Sequence, residues 1–286
     1  MNRIKRGWQL SKKSWSVLRS NRDLIRFPLY GGVLATLVTL VVVGPGLFFL
    51  EENMLGIGVP LAVLGVYAAT FIGFYFSVGL AASADRIFHG EDASVSDGLA
   101  VANQRLPQIA GWAVIATVVS VLISLIRERA GFLGAILGSV LSLGWALISF
   151  LAVPVIAIEG TGAVHTLKRS ASIFRERWGQ QITGNVAIGG LTFVLGVLPA
   201  IALIAGGVML WTTVSFVGAA LVICGIALLI AALLIQRAMS VIFGVALYRY
   251  ALAGEEVGGF TAEELESVVK IKGGGGRPAT AGGGVI

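Results

Sequence analysis

The chain has 286 residues, of which 56% are hydrophobic and 13% charged, with 39 glycines and a formal net charge of +6. A water-soluble domain carries a charged fraction nearer ~25%, so that class is excluded and the bilayer is the expected main solvent, in keeping with a mean hydropathy of +0.90. The only cysteine, Cys224, sits in an apolar run, which excludes an intramolecular disulfide and argues against a thiol metal site.

Residues 1–26 read as a basic amphipathic helix. Ile4, Trp8, Trp15 and Leu18 recur at spacings that stack them on one face, beside a cationic row of Lys5, Lys12 and Arg19. Lys13 and Arg22 add to a segment whose only acid is Asp23. Trp prefers the head-group level. The segment lacks the short apolar run and small-residue cleavage site of a signal peptide, so the N-terminus is expected to be retained.

A hydrocarbon core of ~30 Å needs about 20 apolar residues of helix. Six runs reach that length: residues 27–50, 58–83, 109–126, 131–158, 182 to about 210, and 214 onward. They are continuous rather than alternating, which excludes a transmembrane barrel. Gly44-Pro45-Gly46 and Pro199 predict kinks. The sixth run continues to Tyr250, roughly 55 Å as one helix and more than a bilayer needs. Our reading ends that span near Ile235, leaves Gln236 and Arg237 at the interface, and lays residues 238–253 along the surface. The alternative carries the helix to Tyr248, Arg249 and Tyr250 and leaves Arg237 in the membrane as a functional residue.

Two further amphipathic segments precede odd-numbered spans. One starts near Ser96 and is expected to align Leu99, Leu106 and Ile109; the other aligns Leu167, Phe174 and Trp178. A weak repeat pairs a small residue with an apolar one four positions on, as Ser14 with Leu18, Ala102 with Leu106, and Ser170 with Phe174. After the spans, Thr261 and Glu264 predict a capped acidic helix within residues 254–272, and the glycine-rich residues 273–286 predict a disordered tail. The expected architecture is an all-α polytopic membrane protein: a membrane domain over 27–253 with six transmembrane helices as three hairpins, each preceded by a cytoplasmic interfacial amphipathic helix. The cations of residues 1–26 and of the loop before the fifth span place both termini inside, in the plasma (inner) membrane.

Chemistry-bearing clusters are few. The exit of the fourth span gathers Glu159, Gly160, Gly162, His165, Lys168, Arg169 and Ser170. Glu159 and His165 could act as an acid and base, but without a nucleophile, metal partner or oxyanion donor they compose no site. The reading preferred is a structural elbow in which Glu159 pairs with Lys168 or Arg169. His89, near Asp85, Arg86, Glu91 and Asp92, lacks a metal-ligand spacing and reads as part of a solvated loop. Asn185 suggests an interhelical hydrogen bond. Gly131, Gly134, Gly138, Gly189, Gly190 and Gly196 make small faces, for packing within the chain or between copies of it.

The run from Val153-Pro154-Val155 through Glu159-Gly160 to Leu167-Lys168-Arg169-Ser170 and Arg177-Trp178-Gly179, with the basic Trp-containing N-terminus, resembles an uncharacterised prokaryotic family of six-helix integral membrane proteins. That family is a domain of unknown function, and its layout is similar to the membrane domain joined to some glycerophosphodiester phosphodiesterases. The resemblance implies the fold and no catalytic residue. The expected function is therefore non-enzymatic, without cofactor, metal or nucleic acid. It is to organise or sense the cytoplasmic leaflet, with Lys5, Lys12, Lys13, Arg19, Arg22, Lys168, Arg169, Arg175 and Arg177 holding anionic lipid head groups. The competing expectation is a transporter or channel component for a small apolar or amphipathic molecule, with a cavity lined by Ser77, Thr117, Ser120 and Ser124.

Overall fold

The computed structural model of the protein describes residues 3–21, 23–129, 131–178, 193–211, 215–262 and 265. In hydrocarbon no water satisfies backbone N–H and C=O groups, so a chain of this composition must satisfy them internally. Regular structure among the described residues is accordingly all helical: α1 (Arg3–Ser20), α2 (Asp23–Val38), α3 (Gly44–Glu51), α4 (Leu55–Phe88), α5 (Val95–Gln104), α6 (Leu106–Arg129), α7 (Gly131–Phe150), α8 (Ala152–Pro154), α9 (Ala163–Trp178), α10 (Leu198–Leu210) and α11 (Ser215–Ala253).

Five stretches among these residues are long and apolar enough to cross a membrane: Asp23–Glu51, Leu55–Phe88, Leu106–Glu128, Ile136–Glu159 and Phe216–Ala253. This is consistent with a multi-pass membrane protein. Of the expected fifth span, Leu195–Leu210 is a shorter apolar helix, while residues 179–192, with Asn185, Gly189 and Gly190, lie outside the described residues.

Prolines set the irregularities. Wide π turns at Thr39–Val43 and Phe193–Val197 run into Gly44-Pro45 and Leu198-Pro199, and a third, Val155–Glu159, follows Pro154. A proline has no N–H to give and its ring crowds the carbonyl four residues back. A π turn takes up that misfit locally, so the predicted kinks at Gly44-Pro45-Gly46 and Pro199 take this form.

Helix length divides the molecule into two zones. At 1.5 Å per residue the 34 residues of α4 and the 39 of α11 reach about 51 and 58 Å, against a hydrocarbon core of ~30 Å. Large exposed apolar residues crowd α2 to the first turns of α4, α6 with α7, and α10 to Leu233 of α11. The surplus lengths behave otherwise. Residues 77–84 of α4 are buried, as are Ala238, Ile242, Phe243, Val245, Ala246 and Tyr248 of α11. They form a base in which Phe74 meets Trp112 edge-on, and Trp112 stacks on Trp145 at 5.7 Å. Packing is strongest between chain neighbours: α2 and α3 on α4, α6 on α7, α10 on α11. Gly138 of α7 lies against Arg127 of α6, so that small face is used within the chain.

Two expectations are corrected here. The helix of the sixth span does not break near Ile235 to lay residues 238–253 on the surface. It continues as one helix whose last third is core, because nothing between Ser215 and Ala253 removes a backbone donor. The face expected to join Leu99, Leu106 and Ile109 is cut by a turn at Arg105, since Pro107 cannot continue α5. Leu106 is exposed and Ile109 fully buried. In α9 the inward face is Thr166, Ser170 and Ile173, with Leu167 half-buried. The side chains of Phe174 and Trp178 are outside the described residues.

Beyond α11 the chain turns back through left-handed Gly254, Gly258 and Gly259. Val257, Phe260 and Leu265 then dock on Phe243 and Tyr248 of the base. The N–H of Ala262 is taken by Glu256 at 2.8 Å. Glu264, the other half of the predicted capping box, lies outside the described residues, as do residues 266–286.

Candidate functional site

The buried half of α11 carries polar groups into the base at Tyr248 and Arg249, and a third, Arg237, stands where the exposed apolar surface gives way to it. Arg249 grips Asp85 of α4 with two parallel hydrogen bonds, Nε to Oδ1 at 2.7 Å and Nη2 to Oδ2 at 2.6 Å. Both side chains are mostly buried, so a two-pronged charged pair is the geometry that offsets their desolvation. Sequence reasoning missed this pair. Asp85 and Arg86 belong to α4 rather than to a solvated loop, and the signal was an acid two residues beyond the second apolar run and an arginine near the end of the sixth.

At the adjacent position of α11, the Tyr248 hydroxyl donates to Oε1 of Glu159 at 2.5 Å, and Nε of Arg169 donates to the same oxygen at 2.9 Å. Glu159 closes the π turn after Pro154, and Gly160 reverses the chain with φ +66°. A Cβ at Gly160 would overlap the Arg105 guanidinium, and the Gly160 carbonyl accepts from Nε2 of Gln108 at 3.3 Å. Gly162 needs no such conformation and has open space around it. Ser170 then anchors α9 by donating to the Ile148 carbonyl of α7.

Of the elbow residues, the structure brings Glu159 and Arg169 together, while His165 and Lys168 are exposed. Of the proposed head-group residues, Lys12, Arg19, Lys168 and Arg175 are exposed, Lys13 is half-buried, and Arg169 is committed to Glu159. Lys5 lies in α1 and Arg177 in α9, with their side chains outside the described residues; Arg22 is outside altogether. Ser77 and Thr117 are buried, Ser120 and Ser124 exposed, and the cavity that Ser77 lines includes none of the other three. No group of three metal-ligating side chains occurs among the described residues.

The start of α5 is a reciprocal cap. The Asp97 N–H bonds Ser94 Oγ at 3.3 Å while the Ser94 N–H bonds Asp97 Oδ2 at 2.9 Å. The hydrogen bonds from the Ser94 side chain and backbone, aided by Arg86, hold the Asp97 carboxyl below its usual range.

Between α2, α4 and α11 lies a cavity of about 280 Å³. The Arg237 guanidinium enters it, with Nε donating to Ser77 Oγ at 3.2 Å and Nη2 to the Gly73 carbonyl at 3.1 Å.

A family of unknown function (DUF6159) matches residues 57–259. The chain belongs to this family. The DUF6159 match takes in α4 to α11 and the docking segment as far as Gly259, and so includes Asp85, Glu159, Arg169, Arg237, Tyr248 and Arg249. It leaves out α1, α2 and α3. No curated protein and no solved structure matches the chain.

Proposed function

We propose that the protein is a non-enzymatic integral membrane protein that organises or senses the cytoplasmic leaflet through cationic helices at the bilayer surface. In this reading the five span-length stretches are joined by a sixth formed around α10, giving three hairpins. Helices α1, α5 and α9 lie along the cytoplasmic interface ahead of them, with both termini inside. Ser14, Ala102 and Ser170, the small residues of the weak repeat, are each fully buried, which supports three equivalent docking helices. The six-span layout, and its likeness to the membrane domain joined to some glycerophosphodiester phosphodiesterases, is part of the same proposal.

The observation that carries it is the two-sidedness of α1. Ser14 and Leu18 are fully buried against the base, while Lys12, Trp15 and Arg19 are exposed on the other side. A cation near an anionic surface contributes about 1 kcal/mol, and an exposed Trp beside it suits the head-group level. The test uses the full chain in nanodiscs of mixed phosphatidylglycerol and phosphatidylcholine. Enrichment of phosphatidylglycerol around the protein should fall with added salt and should fall when Lys12, Lys13 and Arg19 are all changed to Gln. Equal enrichment around parent and triple variant sinks the reading.

The cavity at Arg237 favours the runner-up, transport of a small amphipathic molecule. Uptake of such a molecule by proteoliposomes, abolished by filling the cavity with Gly73→Leu, would establish it in place of the leaflet reading.

A further inference from the structure

We propose that the cavity beside Arg237 is a specific binding site for a phosphate group, with the head group of a membrane lipid as its source. The other arginines that α9 and α11 bring into the base have their acids, Arg249 with Asp85 and Arg169 with Glu159. Among the described residues Arg237 has none, and no carboxylate lines the cavity. Phe76, Leu80 and Leu234 make its walls apolar, and Ser77 and Thr36 are its only other polar side chains. A guanidinium cannot lose its proton there, so a charge in these surroundings calls for a counter-anion.

The geometry leaves the guanidinium ready for one. Nε and Nη2 share an edge, and that edge is bound to Ser77 and Gly73, one turn apart on α4. Ser77 in turn donates to the Gly73 carbonyl at 2.6 Å, which fixes the acceptor pair. The opposite edge, Nη1 with the second Nη2 hydrogen, has no protein acceptor among the described residues. It is the fork that bonds phosphate oxygens two at a time. Arg237 is itself exposed rather than sealed in, so this edge can be reached. Gly73 makes the room, since a Cβ there would stand 3.2 Å from Nη2.

Depth selects a lipid. Arg237 is 22 residues into α11, about 33 Å along it, and Gly73 is 18 residues into α4, about 27 Å along it. If the far ends of both helices mark one edge of a ~30 Å hydrocarbon core, the cavity lies at the other edge, at the level of the phosphates. Its apolar walls suit the acyl chain attached to such a phosphate.

The inference rests on the leaflet reading for the identity of the source, but a distinct set of residues carries it. The test is native mass spectrometry of the full-length protein after detergent exchange, with phosphatidylglycerol, a phosphate-free diacylglycerol, or inorganic phosphate offered back. The parent should retain one phosphatidylglycerol and no diacylglycerol. Arg237→Gln should bind it at least tenfold more weakly. Arg237→Lys, which keeps the charge without the fork, and Gly73→Ala, which crowds the guanidinium, should fall between and carry the test if the Gln variant does not fold. Undiminished retention by all the variants overturns the site. Inorganic phosphate that displaces the lipid and remains bound overturns the lipid source. The Lys12, Lys13 and Arg19 triple variant should keep this lipid while losing the salt-dependent enrichment. If it keeps both and Arg237→Gln still loses its lipid, the surface-helix reading fails and the site stands.

Discussion

The hydroxyl of Tyr248 on α11 and the carboxylate of Glu159 meet at 2.5 Å across 89 residues of chain, and Arg169 of α9 joins on the same oxygen. One carboxylate thus ties the last helix to the turn where the chain leaves the α7–α8 stretch and to the helix that follows. Tyr248 is fully buried and Glu159 largely so, so the two bonds act in a setting where an unmade bond to a charged group is costly.

Glu159→Gln should therefore lower thermal stability in detergent by about 1–3 kcal/mol, and Tyr248→Phe by a similar or smaller amount. Pairing Glu159→Lys with Arg169→Glu should recover part of the loss. Parent-like stability of the Gln variant across several lipids would refute the structural role and mark the carboxylate as functional.

Gly160 sits at φ +66° under the Arg105 guanidinium, whereas Gly162 faces open space. Gly160→Ala should cost about 1–2 kcal/mol for the left-handed backbone alone, with more for displacing Arg105. Gly162→Ala should be close to neutral. Equal unfolding temperatures for the two variants would show that the turn is not held as described.

Asp85 and Arg249 form a two-pronged pair with 17% and 24% of their side chains exposed. Each of Asp85→Asn and Arg249→Gln should destabilise by about 2 kcal/mol, less than a fully buried pair would lose. In a double-mutant cycle the two losses should not add. Full additivity would mean that the pair contributes nothing as a pair.

Asp97 supplies a pH dependence. Its folded carboxyl is held below the unfolded value of about 3.9, so the cap is intact above that value and is lost as pH falls through the lower, folded one. Amide exchange at the start of α5, corrected for intrinsic rates, should keep its protection from neutral pH down to about 4 and lose it below. Asp97→Asn should flatten that profile. An unchanged profile in the variant would assign the titration to another group.

The orientation is checked by chemistry on intact cells. Cys224 is the chain's only thiol and is exposed, so a Cys224→Ser background accepts single cysteines at Lys12, Glu52, Glu128 and Thr213. An impermeant maleimide should label positions 52, 128 and 213 and spare 12. Labelling at 12 without labelling at 52 reverses the topology.

Hydropathy run length alone revealed that the chain is helical and multi-pass in character. Spanning segments are built from one simple quantity, enough consecutive apolar residues to match the bilayer, and Pro45 and Pro199 marked two irregular turns because a missing N–H acts within its own helix; the π turn after Pro154 was not foreseen. The candidate sites were not legible in the same way. Asp85 with Arg249, Tyr248 with Glu159, and Ser77 with Arg237 are separated by 164, 89 and 160 residues, and no local periodicity encodes which distant helix a polar group will meet. The same limit explains the last helix. Its apolar composition suited both a surface helix and a core, and only the packing of residues 238–251 against α4 and the docked chain end decided that it is core. Where that packing stops, it leaves Arg237 beside a cavity with its acceptors on α4 and, among the described residues, no acid of its own.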